Sequence, residues 1–463
     1  MRTTPEITLP LRLSRHDERP LPVQLGDELR DAVTGGLLTP GDPVPSTRAL
    51  AGHLGVSRGT VAAAFEQLTA EGYLVASEGS RTMVNPRLSA IHPARHPVPS
   101  PTARAGRAGF IDLRPGRPWT ATLADSRWRA AWRAAAADPF EAAPPAGDLR
   151  FRVELAEHLR SMRGVLRSPE NLLVTAGARE GLALLLQSLG RPEPVGVEEP
   201  GYPSLRRVLQ RLGLAVTALP ADRDGLITAA LPDRNPPRLL IVTPSHQYPL
   251  GGSMPLERRQ ELLAWADRYD VVLVEDDYDA ELRYTSQPLP ALAALADPDT
   301  GRVVTLGTFA KTIGPGLAAG YLLAPTRLLP ALTRTRAELG QPVAQVTQRA
   351  LSAYLGTGEL RRHIQRMRRL YRRRRAMVAS AMAGLPGVSV YPMDGGLHVV
   401  LETRRQQAEV LAEIRANGVA VDGLSGYWSS EPSGANGVVF GFGGVDEADL
   451  ERALGVVARA ATG

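Results

Sequence analysis

The 463-residue chain has no cysteine. That excludes disulfides, cysteine metal sites and thiol nucleophiles. It almost lacks lysine too: of 54 Lys plus Arg, Lys311 alone is lysine, which leaves 53 Arg. No apolar stretch approaches the ~20 residues needed to cross a bilayer. Met1–Pro20 is charged and broken by proline, with no apolar region of an export signal. These absences lead us to expect a cytoplasmic protein with no membrane partner. A net charge of +6 and a pI near 9.8 permit an acidic partner without demanding one, since Arg in place of Lys itself raises the pI. With 43% hydrophobic residues the chain suits a soluble protein, and its length suits two or three domains.

The lone lysine carries information. Arginine replaces lysine wherever only a positive charge is wanted, but guanidinium stays protonated and cannot attack a carbonyl. Formation of a Schiff base is the commonest need for a free amine. Chance survival of one lysine is the plain alternative. The surroundings favour function. Thr305-Leu306-Gly307-Thr308-Phe309-Ala310-Lys311, followed by Gly314-Pro315-Gly316, reads as a strand running into small residues, then the amine, then a Gly/Pro loop. That puts an amine at a strand end, facing a cleft.

Near the N-terminus, Val23, Leu25, Leu29, Ala32 and Val33 lie at helical spacing. Ser46 is placed to cap a second helix bearing Leu50 and Leu54, and Ser57 a third bearing Val61, Phe65 and Leu68. Tyr73–Val75 and Thr82–Val84 read as short strands around the turn Ser77–Ser80. Three helices and a hairpin make a winged helix-turn-helix over residues 11–84. Its third helix presents Ser57, Arg58, Gly59 and Thr60, and recognition helices read bases through their first turn. Arg58 suits guanine or phosphate, Ser57 and Thr60 suit phosphate or bases, Arg48 a phosphate and Arg81 a minor groove. A small protein-docking module is the alternative. Residues 22–84 hold four Arg against seven acids, so double-stranded DNA binding rests on motif order and Arg placement, not on total charge.

The stretches Pro45-Ser46-Thr47-Arg48-Ala49-Leu50-Ala51, Leu54-Gly55-Val56-Ser57-Arg58-Gly59-Thr60-Val61 and Leu68-Thr69-Ala70-Glu71-Gly72-Tyr73-Leu74 resemble the GntR-type winged helix of bacterial repressors. That family's wing usually reads Gly-Ser-Gly-Thr, and Arg81 stands where its second Gly would be. Residues 85–110 then change character, with five Pro, four Arg and no acid, and read as a semi-rigid linker.

From residue 111 to 463, continuously apolar strands alternate with helices: Leu172–Thr175, Pro194–Val197, Leu239–Val242, Val271–Val274 and Val303–Leu306 are strands buried on both faces. Arg179–Leu189, Leu256–Tyr269 and Ala344–Tyr354 are helices between them. This is an α/β doubly wound sheet, whose ligands sit at strand carboxyl ends. The polar residues gather at those ends, in a set that suits an aromatic aldehyde cofactor carrying a phosphate. Lys311 would form the imine, and Asp276 would hold a pyridinium proton. Tyr278 would bond a ring hydroxyl and Tyr202 would stack on the ring. Gly177 and Ala178 at a helix start would offer N–H groups to the phosphate, with Thr308 adding a hydroxyl. Each taken alone also has an ordinary structural explanation. Their coincidence at five strand ends is the argument.

Glu199-Pro200-Gly201-Tyr202, Thr243-Pro244-Ser245-His246-Gln247-Tyr248-Pro249, Glu275-Asp276-Asp277-Tyr278-Asp279 and Gly307-Thr308-Phe309-Ala310-Lys311 resemble fold-type I aminotransferases. The closer resemblance is to MocR-type regulators, which fuse a GntR winged helix to such a domain. It implies pyridoxal 5'-phosphate on Lys311, with Asp276, Tyr278 and Tyr202 around the ring, a small C-terminal lobe from about residue 355, and a head-to-tail homodimer. Two departures stand out. The family usually has a phosphate-binding Arg seven residues after the lysine; here Ala318 stands, and Arg179 beside Gly177 is the candidate replacement. No Arg lies between Arg415 and Arg452, where aminotransferases hold a substrate carboxylate. Nine Arg between Arg361 and Arg375 form a helix face, read as solvated by default and as a DNA-backbone contact in the sharper reading. The expected function is a transcriptional regulator that binds an operator and senses a small amine or cofactor-related effector through Lys311. A working aminotransferase, and a regulator whose pocket no longer binds the cofactor, are the alternatives.

Overall fold

The computed structural model describes residues 9–76, 82–88, 110–137, 142–284, 289–429 and 435–463. Arg81, the turn Ser77–Ser80 and residues 89–109 of the linker lie outside them. The chain divides into two units, residues 1–106 and 107–463.

The first unit holds α1 (Leu21–Thr34), α2 (Thr47–Leu54), α3 (Arg58–Ala70) and a hairpin of β1 (Leu74–Ala76) with β2 (Thr82–Val84). Local chemistry sets the boundaries. Ser46 Oγ accepts from the Ala49 amide at 3.2 Å, and Ser57 Oγ from the Thr60 amide at 3.1 Å, each satisfying a free donor at a helix start. Leu25, Leu29, Leu50, Val61, Phe65 and Leu68 form the core, as their spacing requires. The lead-in has no regular structure, yet Leu9 is buried in that core and Leu11 and Leu13 pack on it.

The second unit begins with β3 (Ile111–Asp112). An eight-stranded sheet follows, built from β4 (Leu172–Thr175), β5 (Val195–Glu199), β6 (Val216–Asp222), β7 (Gly225–Leu226), β8 (Leu239–Val242), β9 (Val272–Asp277), β10 (Val303–Thr308) and β11 (Gly320–Leu323). Its order is β4-β11-β10-β9-β8-β5-β6-β7. Neighbours from β10 through β6 run parallel, while β11 and β7 run antiparallel to theirs. Helices such as Ala178–Ser188 and Leu256–Tyr269 separate the strands, as the apolar runs predict. Apolar clusters fill the space on the sheet.

The smaller sheet takes β12 (Val388–Val390), β13 (His398–Thr403), β15 (Asp422–Gly423) and β16 (Gly437–Gly441) in the antiparallel order β12-β13-β16-β15. β14 (Val419–Ala420) pairs in parallel with β3, so the first residues after the linker join the small lobe, and Leu113 is buried in its core. No helix among the described residues is long and apolar enough to cross a membrane.

Candidate functional site

The parallel strands deliver their last residues to one edge of the sheet, and the chemistry-bearing side chains gather there. Lys311 stands three residues beyond β10. Its Nζ donates to the carbonyl of Gly116 at 2.9 Å. Burial lowers the ammonium pKa, Arg179 lowers it further, and the carboxylates of Asp279 and Asp276 oppose them. The amine is thereby brought nearer its nucleophilic form.

Asp276, near the end of β9, is buried, and neither carboxylate oxygen has a hydrogen-bond partner among the described residues. Burial, reinforced by Asp277 and Asp279, pushes its pKa up to about 8. A buried carboxyl without a partner is costly unless a ligand supplies the donor. Asp276 lines one pocket with Tyr202, Glu198, Arg206 and Thr243. Tyr202 starts the helix Pro203–Arg211 and meets Tyr248 edge-on, with ring centroids 5.0 Å apart. Glu198 is a second buried acid, with one oxygen unpartnered among the described residues. Burial pushes its pKa up to about 7 against hydrogen bonds from Thr243 and Gln247.

Gly177 and Ala178 open the helix Ala178–Ser188 as the sequence places them. Thr308 Oγ1 would lie 3.7 Å from a Cβ on Gly177, so hydroxyl and helix start share one corner. Arg179 is exposed there, with no hydrogen bond or ion pair among the described residues. Ala318, where the resemblance calls for Arg, is exposed in a left-handed conformation with φ +46°. The Tyr278 hydroxyl, which the sequence reading gives to a ring oxygen, donates here to the His246 carbonyl at 3.0 Å.

Sequence reasoning missed Gly116, Glu198, His246, Asp279 and His398 as site residues. His246 and Asp279 stood inside motifs that had been singled out, so a signal was present. Gly116 and His398 are brought in by long-range packing and had none. His246, Asp279 and His398 offer donor atoms within 4.8 Å of one another, all buried. Hydrogen bonds of His246 to Asp279, and of His398 Nε2 to the Pro249 carbonyl at 3.0 Å, already employ them. Val439, in β16, belongs to a buried apolar and aromatic cluster with Tyr248, Tyr278, Tyr427, Leu424 and Val400.

In the first unit, Arg48, Ser57 and Arg58 are exposed at the starts of α2 and α3, with Thr60 half-buried. Neither Arg48 nor Arg58 has a partner among the described residues, whereas Arg30 is tied to Asp27 and Glu71. Ser57 Oγ and Thr60 Oγ1 lie 2.9 Å apart, so both hydroxyls serve the helix start as well as its outer surface.

The model of the aminotransferase class I and II family matches residues 116–452, and that of bacterial regulatory proteins of the gntR family matches residues 21–84. An archaeal alanine:glyoxylate aminotransferase shares the fold of the larger unit, with a TM-score of 0.71 and 24% identity over 76% of this chain and 90% of its own. Fold and family thus define a helix-turn-helix transcriptional regulator carrying an aminotransferase-like domain. The HTH-type pyridoxine biosynthesis transcriptional regulator PdxR of Corynebacterium glutamicum is 49% identical over 98% of both chains. The probable rhizopine catabolism regulatory protein MocR of Rhizobium meliloti is 33% identical over 96% of this chain and 94% of its own. The chain belongs to the MocR-type transcriptional regulators.

Proposed function

We propose that this regulator binds pyridoxal 5'-phosphate covalently at Lys311 and uses the occupied cleft to control DNA binding by its winged helix. The observation that carries the reading is Asp276: a buried carboxyl with two unpartnered oxygens is what a protonated pyridine nitrogen needs. The cofactor supplies an aldehyde for the amine and an electron-withdrawing ring. Tyr202 covers the ring, and Tyr278 serves its oxygen. The amides of Gly177 and Ala178, the hydroxyl of Thr308 and the guanidinium of Arg179 hold the phosphate. An effector amine competes with Lys311 in the same cleft and changes its packing. Arg48 and Arg58 position the protein on a double-stranded operator, with Ser57 and Thr60 beside them. We infer a head-to-tail homodimer as the state that binds. No Arg lies between Arg415 and Arg452 in the sequence, the stretch where aminotransferases hold a substrate carboxylate, which favours a sensor over a turnover enzyme.

Absorption spectra before and after borohydride test the reading. A visible band that borohydride bleaches, with a fixed adduct mapped to Lys311, is expected. Its absence, or an adduct elsewhere, rejects the cofactor site. Operator binding measured with and without cofactor tests the coupling.

A further inference from the structure

The His246 ring is the hub of a buried cluster. Its Nδ1 lies 3.1 and 3.0 Å from the two carboxylate oxygens of Asp279, and 2.8 Å from the Tyr278 hydroxyl. That hydroxyl donates to the His246 main-chain carbonyl at 3.0 Å. Nε2 is buried without a partner among the described residues. A bare Nδ1 lone pair facing a carboxylate would repel it, and a hydrogen on Nε2 would be a buried donor without an acceptor. The hydrogen therefore sits on Nδ1, shared between Asp279 and the Tyr278 oxygen. Gly396 makes room for the pair: at φ +70°, it stands where a Cβ would run into His246 Cε1 and Asp279 Oδ2.

Resting on the cofactor reading above, we propose that Asp279 and His246 are positioning residues that latch Tyr278. With the cleft empty, the hydroxyl points to the His246 carbonyl. With the cofactor bound, it turns to the ring oxygen, while His246 Nδ1–H stays on the phenol oxygen. One hydroxyl has one hydrogen, so it serves one acceptor at a time. Donation from Nδ1 polarises the phenol and strengthens its own donation. Asp279 acts at the other end as well, because it opposes the loss of the proton at the Lys311 nitrogen. The other titratable and charged groups facing this cluster include Asp276 at the end of β9, Arg283 and Tyr284 a few residues beyond Asp279, Glu198 and Tyr248 at neighbouring strand ends, His398 in β13 and Arg179 in the helix Ala178–Ser188.

The test has two arms. In the full-length, cofactor-free protein, nitrogen-15 histidine NMR, with the signal assigned by its loss in His246→Gln, is expected to show the hydrogen on Nδ1. A hydrogen on Nε2 overturns the latch. In protein loaded with pyridoxal phosphate, the visible band is titrated with pH. Asp279→Asn is expected to lower the midpoint, because the negative charge that opposes proton loss at the Lys311 nitrogen is gone. His246→Gln is expected to raise it, because Tyr278 then donates less strongly to the ring oxygen, and to have no further effect in a Tyr278→Phe background. Midpoints unmoved in both single variants, or additive effects of His246→Gln and Tyr278→Phe, overturn the proposal. If Asp279→Asn does not fold, the His246 and Tyr278 variants carry the test. No visible band in the parent rejects the cofactor reading, and the latch with it, a result distinct from a band whose midpoint does not move.

Discussion

Lys311 Nζ donates a 2.9 Å hydrogen bond to the main-chain carbonyl of Gly116, a residue 195 positions away in sequence. The reactive amine is therefore aimed by a turn that only tertiary packing brings to it. Gly116 has φ +91°, and a Cβ there would sit 2.5 Å from Nζ. We predict that Gly116→Ala displaces the amine, since backbone strain and the clash act together. The expected result is cofactor binding weakened at least 10-fold in a fluorescence titration, with operator affinity of the cofactor-free protein unchanged. Unaltered binding would show that the carbonyl is a resting contact with no part in aiming the amine.

Asp276 gives a prediction with a sign. Its pKa, ordinarily about 4, is pushed up to about 8 in the fold by burial first and by Asp277 and Asp279 next. Between those two values the folded chain holds a proton that the unfolded chain has released. Stability of the cofactor-free protein therefore declines as pH rises from about 4 to about 8, and this contribution levels off above. Asp276→Asn removes that decline. Melting temperature against pH checks it: parent and variant curves should diverge across that window, with the variant flatter. The same variant should bind the cofactor less tightly, because the amide offers no charge to the ring nitrogen. Parallel curves would mean that Asp276 is ionised in the empty fold.

The missing phosphate arginine is a question of where the charge went. Ala318 is exposed and points no cation into the site, while Arg179, at the start of the helix Ala178–Ser188, has no hydrogen bond or ion pair among the described residues. A charge-assisted hydrogen bond is worth ~1.5–3 kcal/mol. Arg179→Ala should therefore raise the dissociation constant for pyridoxal phosphate roughly 10- to 100-fold. Pyridoxal, which has no phosphate, should bind parent and variant alike. Arg179→Ala combined with Ala318→Arg should recover part of the loss. Equal weakening for both ligands would assign Arg179 to the fold and not to the phosphate.

How much of this was legible beforehand depended on the range of the contacts involved. Ser46 and Ser57 fixed two helix starts because capping is local. Leu239–Val242 and Val303–Thr308 read as strands because burial on both faces leaves an unbroken apolar run. Lys311, Asp276 and Gly177 could be placed at one edge of the sheet from the sequence because a parallel sheet sends its strand ends there. Gly116 and His398 were invisible, since nothing near them in sequence marks the packing that recruits them. Tyr278 could be placed at a strand end, but its bond to the His246 carbonyl could not be read, because a hydroxyl's choice among acceptors is settled by angstroms. The pairing of β3 with β14 escaped for a like reason: two-residue strands carry no periodicity.

The arginine-rich helix Glu359–Met382 separates into groups once its partners are seen. Arg374 is buried, bonds the carbonyls of Phe442 and Gly443, and lies over the Trp119 ring, 4.7 Å from its centroid. Arg362 pairs with Glu359, and Arg373 with Glu447. Arg369 and Arg372 are exposed, without a hydrogen bond or ion pair among the described residues. Neutralising the whole run from Arg372 to Arg375 would thus disturb packing as well as charge, and a loss of DNA binding would be ambiguous. Arg369→Ala with Arg372→Ala avoids that. The formal charge of the winged helix is negative, so its phosphate contacts must come from few residues, and among the described residues Arg48 and Arg58 are its exposed, unpaired candidates. Each released phosphate contact lowers the slope of log affinity against log salt by about one. We expect Arg48→Ala and Arg58→Ala each to reduce the slope by about that much, and the Arg369/Arg372 pair to leave it unchanged, as a solvated face does. A slope that falls by about two in the helix variant would instead make the aminotransferase-like domain part of the DNA-binding surface.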